Sequence, residues 1–418
     1  MYTHFQILIV GGGTAGIMLA AKLHNEEKRL RMAIIEPSQS HWYQPAWTLV
    51  GGGTYDYTDT RRPEDAVIPA GVDWIQDKAT EILPGENKVR TESSGDYTYD
   101  YLVVAPGVKY DLDMIEGLRE ALQHPNVCSN YIDPRKTWHV LRNFEGGNAV
   151  FTQPTTPIKC GGAPQKIMYL ADDYFRKAGV RDKSQVVFAT PGSTIFGVKE
   201  FLPALEEVVK RKDITVKTFY APVKIDASRN EIHFKRSKPE EQFLPDARLQ
   251  ERAEGADTVV MPYSMLHLAP PHVAPDVVRN SELAVAEGPN KGWLDVDIHT
   301  LQHRRYPNIY GLGDVAALPT GKTGAAIRKQ APVVAAQLLA SINKQPKPAL
   351  LYQGYSSCPL VTGYGKMVLA EFKYDNVRDS DPFISKFVDT TKEQWSMWLL
   401  KKYGLPWMYW HLMLKGIM

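Results

Sequence analysis

Two cysteines far apart in sequence, Cys160 and Cys358, bring a chemistry that few other side chains offer. A pair of thiols is a two-electron couple, and a thiolate is a strong nucleophile toward sulfur. Cys160 stands in Thr156-Pro157-Ile158-Lys159-Cys160-Gly161-Gly162, a turn ahead of a helix predicted over 167–175. The free N–H groups of that helix start and the Lys159 ammonium favour thiolate there. Cys358 stands in Tyr355-Ser356-Ser357-Cys358-Pro359, which also reads as a turn, and the third cysteine, Cys128, follows Pro125-Asn126-Val127. Three such widely spaced cysteines do not make a disulfide scaffold, and a single thiol is more often a buried, inert one. These residues leave two readings open, redox work or buried thiols.

The surrounding sequence shifts the balance toward redox work. Gly11-Gly12-Gly13-Thr14-Ala15-Gly16 follows a β-branched apolar run at 6–10 and precedes a helix predicted over 17–23. Gly11 permits the tight turn, Gly13 the approach of backbone to a pyrophosphate, and Gly16 the packing of helix on strand. The unpaired N–H groups at the helix start suit phosphate. A strand at 31–35 then ends in Glu36, placed to accept from a ribose 2′-OH and to disfavour a 2′-phosphate. Another strand, 99–104, runs into the turn Ala105-Pro106-Gly107. A buried-strand pattern at 185–190, a turn at 191–197 and an amphipathic helix through Phe201, Leu205 and Val208 predict a second Rossmann-type unit. Its turn keeps only Gly192 and Gly197, so no close approach for a second pyrophosphate exists and NAD(P)H is not expected to bind. Residues 306–314 give strand, glycine turn and acid, ending in Gly313 and Asp314, in the order flavoproteins use to hold a ribityl chain. A helix starting at Gly324 directs its N-terminus toward the flavin ring.

The elements that position these residues belong to an ordinary globular chain. Its 418 residues are 44% hydrophobic and 23% charged with net charge +2, so no basic field argues for nucleic acid and no acidic block for a tail. The first strand lies too near Met1 for a signal peptide, and no run approaches the ~18 apolar residues of a spanning helix. His267 and His272 flank Leu268-Ala269-Pro270-Pro271, a loop reading without a metal role. Residues 236–256, with Arg236, Lys238, Glu240, Glu241, Asp246, Arg248 and Glu251, read as a solvated insertion.

The C-terminal stretch has a different composition. Trp395, Trp398, Trp407 and Trp410 fall beside Tyr403, Tyr409, Met397, Met408 and Met413. Pro406 is expected to divide the stretch into two short helices, the second apolar on nearly every side. Lysines 386, 392, 401, 402 and 415 outnumber the acids and suit anionic headgroups, which reads as a monotopic membrane anchor. A helical hairpin buried in a homodimer interface is the alternative.

Taken together, the stretches 41–51, 160–170, 301–307 and 355–371 resemble the sulfide:quinone oxidoreductases, flavoproteins related to flavocytochrome c sulfide dehydrogenase and type II NADH dehydrogenases. The resemblance spans essentially the whole chain and is strongest to the branch that includes the mitochondrial enzymes. It implies an α/β fold with two Rossmann-type dinucleotide-binding domains, the FAD domain discontinuous, and a C-terminal amphipathic helical membrane region. The segments are 1–114 and 290–345 for FAD, 115–289 for a second Rossmann-like domain without an NAD site, and 346–418 for the quinone and membrane region. Carried over by motif, FAD is held by the fingerprint glycines with Thr14, Ala15, Glu36, Gln44, Ala105, Gly107, Gly313 and Asp314. Cys160 faces the flavin and Cys358 is its redox partner, with Cys128 a possible accessory thiol. Gln165 and Lys166 stand where some bacterial members carry a carboxylate.

The implied activity is oxidation of hydrogen sulfide to sulfane sulfur, with two electrons passing through FAD to a membrane quinone. Hydrosulfide opens a sulfur bridge at Cys358, and a thiol, sulfite or further sulfide removes the sulfane sulfur. Lys402, Tyr403 and Trp407 are the expected quinone-site residues, and deletion from Trp395 onward is expected to spare flavin reduction by sulfide. The protein is read as peripheral to the membrane, with a homo-oligomer possible. A type II NADH:quinone oxidoreductase is the competing enzyme and needs a second glycine fingerprint. Disulfide reductases place their cysteines close together, C-x4-C fashion, and a flavin-stabilised scaffold with inert thiols is the non-enzymatic alternative.

Overall fold

The computed structural model describes residues 3–238 and 244–418. Its first sheet is built on four parallel strands in the order Val72–Ile75, Met32–Ile35, His4–Val10 and Asp96–Val104. Registers such as Ile9 opposite both Ile34 and Val103 align three buried runs. Met32–Ile35 is buried at every position, as a strand covered on both faces must be. Helices Thr14–Glu26 and Gly324–Ile342 cover one face, while Leu283, Trp293 and Leu294 pack on the other. The chain leaves this sheet after Val104 and returns through Ile309–Gly311, which pairs beside Leu102–Val104. Gly11, at φ +106°, is obligatory at the first turn, since a Cβ would meet the Ala105 carbonyl oxygen at 2.4 Å.

The second sheet is also parallel, in the order Val127–Cys128, Met265–His267, Gly147–Thr152, Ser184–Ala189, Thr215–Lys217. Its central strand, Gly147–Thr152, is followed by the helix Ala163–Lys177 and then by the neighbouring strand. The Rossmann-type unit therefore opens at Gly147 and not at Gln185, and the turn in its first strand–helix crossover is the one that carries Cys160. An antiparallel sheet of Tyr220–Asp226, Glu231–Arg236, Thr258–Pro262 and Arg252–Glu254 follows.

Of the charged stretch 236–256, expected to be a solvated insertion, residues 236–238 and 244–256 are described, and the second part is anchored. Leu249 is fully buried, and Glu251 is buried against the Lys217 ammonium at 3.1 Å. Glu240 and Glu241 lie outside the described residues. His267 and His272 sit on short buried strands instead of in a loop.

A hairpin of Ser356–Gly363 and Lys366–Lys373 begins the last part of the chain. Cys358 therefore lies within a strand and not in a turn. Trp395–Leu399, a π-helical segment Leu400–Gly404 and Leu405–His411 run on without a break in helical backbone angles. Pro406 does not divide them: it sits in the first turn after the π segment, where the wider winding absorbs the missing N–H. Among the described residues no helix is long and apolar enough to cross a membrane.

Candidate active site

A cavity of about 710 Å³ runs from the first glycine turn to the C-terminal helix. At one end Gly13 opens onto it: a Cβ there would meet no atom within 4 Å, and no side chain caps the helix that begins at Thr14. Glu36, half-buried just past the end of its strand, accepts from the N–H groups of Gly12 and Ser38, both at 2.8 Å. Burial, above all, raises its pKa, with those two bonds opposing. Farther along, half-buried Asp314 also has a raised pKa through desolvation, and Lys322 donates to its carbonyl at 2.7 Å. Gly313 N–H donates to Gln330, and Thr323 caps the helix Gly324–Ile342. Thr14, Ala15, Gln44, Ala105 and Gly107 line the same cavity, so an open glycine turn, an uncapped helix start and a half-buried acid all fit a dinucleotide.

Cys160 lines the same cavity, and Cys358 stands behind it. Cys160 Sγ and Cys358 Sγ are 3.7 Å apart, although 198 positions separate them. Cys160 adopts φ +54°, a left-handed conformation costing about 1–2 kcal/mol outside glycine. Its N–H donates to the Lys322 carbonyl at 2.7 Å and its own carbonyl accepts from Ala163 at 2.8 Å, which holds that conformation. Gly162 lets the strand approach, since a Cβ there would lie 2.6 Å from Cys358 Sγ.

Lys166 donates to Cys160 Sγ at 2.9 Å. The hydrogen bond from Cys358 first, and then the Lys166 and Lys401 charges, hold the Cys160 pKa well below the thiol range against the effect of burial. The same bond and burial push Cys358 up, so negative charge on the pair is favoured at Cys160. Lys401 donates to the Pro45 carbonyl, and burial first, then Lys166, brings its pKa down to about 7. Lys159 does not supply the charge expected of it: its ammonium donates to Gln44 and lies over the Tyr110 ring.

Cys128 is remote from this pair. It is fully buried in the second core with Phe151, Met168 and Met265, and burial pushes its pKa up to about 12.

The hairpin divides the surroundings of the thiols by strand alternation. Cys358, Leu360, Ala370 and Phe372 pack against Val198, Phe201 and Leu205, while Ser357, Pro359, Leu369 and Glu371 line the cavity. The 191–197 turn is closed by this same hairpin, with Phe196 edge-on to Phe372 at 6.2 Å. The first strand–helix crossover of the second sheet thus carries Cys160, with the Cys358 sulfur against it.

Of the C-terminal residues singled out, Tyr403 (61%) and Trp407 (57%) are exposed, and Lys402 lies over the Tyr403 ring at 5.4 Å. None lines the cavity. The opposite helix face, Lys401, Leu405 and Met408, does, and its i, i+4, i+7 spacing was the available signal. Sequence reasoning also passed over Tyr409, whose hydroxyl lies 2.7 Å from Thr14 Oγ1 and 2.6 Å from His41 Nε2.

A family model for pyridine nucleotide-disulphide oxidoreductases matches residues 5–140. The chain is 42% identical over 416 residues to a mitochondrial sulfide:quinone oxidoreductase of Mus musculus, covering 99% of this chain and 87% of that protein. It is 40% identical over 418 residues to one from Dictyostelium discoideum, covering 98% and 86%. In fold it matches the solved sulfide:quinone oxidoreductase of Aquifex aeolicus, with a TM-score of 0.75 at 22% identity over 100% of this chain and 92% of that one. Identity at this level over nearly the full length, together with a dinucleotide cradle beside a charged thiol pair, makes the chain a member of the sulfide:quinone oxidoreductase family.

Proposed function

We propose that the protein oxidises hydrogen sulfide to sulfane sulfur through Cys160 and Cys358, using FAD to pass two electrons to a membrane quinone. The observation that carries this reading is the contact of the two sulfurs beside Lys166, at a turn where a second dinucleotide would otherwise sit. In the oxidised form the sulfurs are bridged. Hydrosulfide attacks at Cys358, forming a persulfide there and releasing Cys160 as thiolate, with the S–H proton leaving as the persulfide ionises. Lys166 stabilises the released Cys160 thiolate, and Cys358 holds the sulfane sulfur until a thiol, sulfite or sulfide removes it. Bound FAD supplies the two-electron acceptor between sulfur and quinone. Gly13 and the Thr14 helix start would hold its pyrophosphate, Glu36 its ribose, and Asp314 its ribityl chain.

The segments 1–114 and 290–345 form the FAD-binding part, 115–289 the thiol-bearing Rossmann unit, and 346–418 the membrane and quinone region. The protein attaches to one membrane face. Phe383 (70%), Phe387 (75%) and Trp395 (66%) are exposed near Lys386 and Lys392, a composition that suits the lipid headgroup boundary. Anaerobic titration followed by flavin absorbance tests the assignment: sulfide bleaches the flavin, whereas NADH does not at a catalytically useful rate. Rapid bleaching by NADH alone would return the dehydrogenase reading.

A further inference from the structure

Among the apolar residues Pro359, Leu369, Ile384 and Leu405, the cavity wall carries one connected polar group. Tyr355 OH and Glu371 Oε1 are 2.5 Å apart, Arg328 Nη2 donates to the Tyr355 oxygen at 3.0 Å, and Glu371 Oε2 accepts from the Asp381 N–H at 2.8 Å. Tyr355 and Glu371 are buried, and the buried Arg328 Nε has no hydrogen-bond partner among the described residues. Arg328, Tyr355, Glu371 and Asp381 all line the cavity, beside Pro359, Leu369, Ile384 and Leu405. The sulfide chemistry uses none of these polar groups. A buried carboxylate, phenol and guanidinium are costly to gather on an apolar wall unless they meet a polar ligand or move a proton.

We infer that Tyr355 and Glu371 deliver a proton to the quinone, with Arg328 holding the phenol in place. The inference rests on the sulfide:quinone reading. Turning a quinone into a quinol adds two electrons and two protons, and hydrosulfide, in becoming sulfane sulfur, yields two electrons but only one proton. The second proton must come from solvent through the protein. In the structure the Tyr355 hydroxyl donates to Glu371 Oε1; a proton arriving at Glu371 from solvent turns the contact round, acid to phenol, and frees the Tyr355 hydrogen to bond a quinone oxygen in the cavity. As negative charge develops on that oxygen it takes the phenol proton, and Tyr355 takes the proton of Glu371. The net result is a quinol O–H and a Glu371 carboxylate. That carboxylate regains its proton from water past Asp381, a half-buried residue at the cavity edge. The apolar residues beside Tyr355 fit the quinone ring, and Ile384 lies between Phe383 and Phe387, the exposed pair from which an isoprenoid tail enters.

The holoenzyme and its E371Q and Y355F variants separate the two half-reactions by stopped-flow absorbance. Flavin reduction by sulfide is expected to stay within about twofold of the parent. Reoxidation of the reduced enzyme by decylubiquinone is expected to slow on the order of 10²-fold. The parent is expected to show a D₂O isotope effect on reoxidation that Y355F abolishes or alters. Decylubiquinone binding to oxidised enzyme, read by fluorescence quenching, should change less than about fivefold. Reoxidation at the parent rate in both variants overturns the inference. Equal losses in both half-reactions also overturn it, by marking the group as structural. Reduction with dithionite in place of sulfide keeps the two readings apart, because reoxidation by quinone is then measured even where sulfide fails.

Discussion

Tyr409, near the end of the chain, places its phenol 2.7 Å from Thr14 Oγ1 in the first glycine turn, 395 positions earlier. The same hydroxyl meets buried His41, and Arg62 lies over the neighbouring Trp410 ring at 4.8 Å. The C-terminal helix is thus tied directly to the first glycine turn. Removing the Tyr409 hydroxyl leaves the buried Nε2 of His41 without its partner, at about 1–2 kcal/mol. Y409F is therefore expected to bind FAD roughly five- to thirtyfold more weakly in a fluorescence titration of apoprotein. Deletion from Trp395 onward is expected to yield colourless protein, contrary to the sequence expectation that flavin reduction survives it, because Tyr409, Met413 and Leu414 belong to the first core.

Lys401 gives the thiolate a pH-dependent second cation. Its folded pKa of about 7 lies below the ordinary lysine value, so it is charged below about pH 7 and neutral above. Protonating it costs the folded state, and the stability present above the unfolded value is lost as pH falls toward 7. K401M should therefore raise thermal stability at pH 6 relative to the parent, with the gap closing toward pH 10. Alkylation of reduced Cys160 by iodoacetamide, followed against pH, should lose a step near pH 7 in K401M. In K166M the whole profile should move to higher pH, since the nearest ammonium to the sulfur is gone.

The three cysteines are expected to separate cleanly. C160A and C358A each abolish sulfide-dependent quinone reduction while keeping bound flavin. C128A keeps substantial activity and loses on the order of 1 kcal/mol of stability, the cost of a small core cavity. G162A should behave like C358A in turnover, because its added methyl would occupy the space of the Cys358 sulfur. Turnover assays with decylubiquinone and thermal melts on the same preparations check each of these outcomes.

Membrane attachment is expected to depend on the exposed pair Phe383 and Phe387, whose rings meet edge to face at 5.4 Å. Burying each ring in the headgroup boundary contributes about 1.5–3 kcal/mol. F383S and F387S should each weaken liposome flotation more than tenfold, while sulfide bleaching of the flavin in detergent is unchanged.

The first glycine turn was legible because its chemistry is local: φ +106° at Gly11 and the contact of helix with strand at Gly16 demand those residues at that spacing. Cys358 was misread because Ser-Ser-Cys-Pro resembles a turn. Its strand is the edge of a three-stranded sheet, where Pro359 lacks no needed donor, so tertiary packing overrides the local signal. The start of the second Rossmann unit was missed for the opposite reason: Gly147–Thr152 leads into a turn with thiol chemistry in place of the glycine spacing that marks a phosphate site. In the last helix the choice of Lys402 over Lys401 was a slip of one residue, which on a helix turns a side chain about 100° away. Arg328, Tyr355 and Glu371 had no signal at all, since their meeting depends on a hairpin register that only the folded chain sets.

Gly416 packs so tightly on the first helix that a Cβ would lie 2.4 Å from the Lys22 nitrogen, and Asn25 donates to the Lys415 carbonyl at 2.8 Å. Translation delivers these partners nearly four hundred residues apart. The first βαβ unit therefore emerges long before the segment that covers one face of its helix, and that face stays open until Lys415 and Gly416 follow.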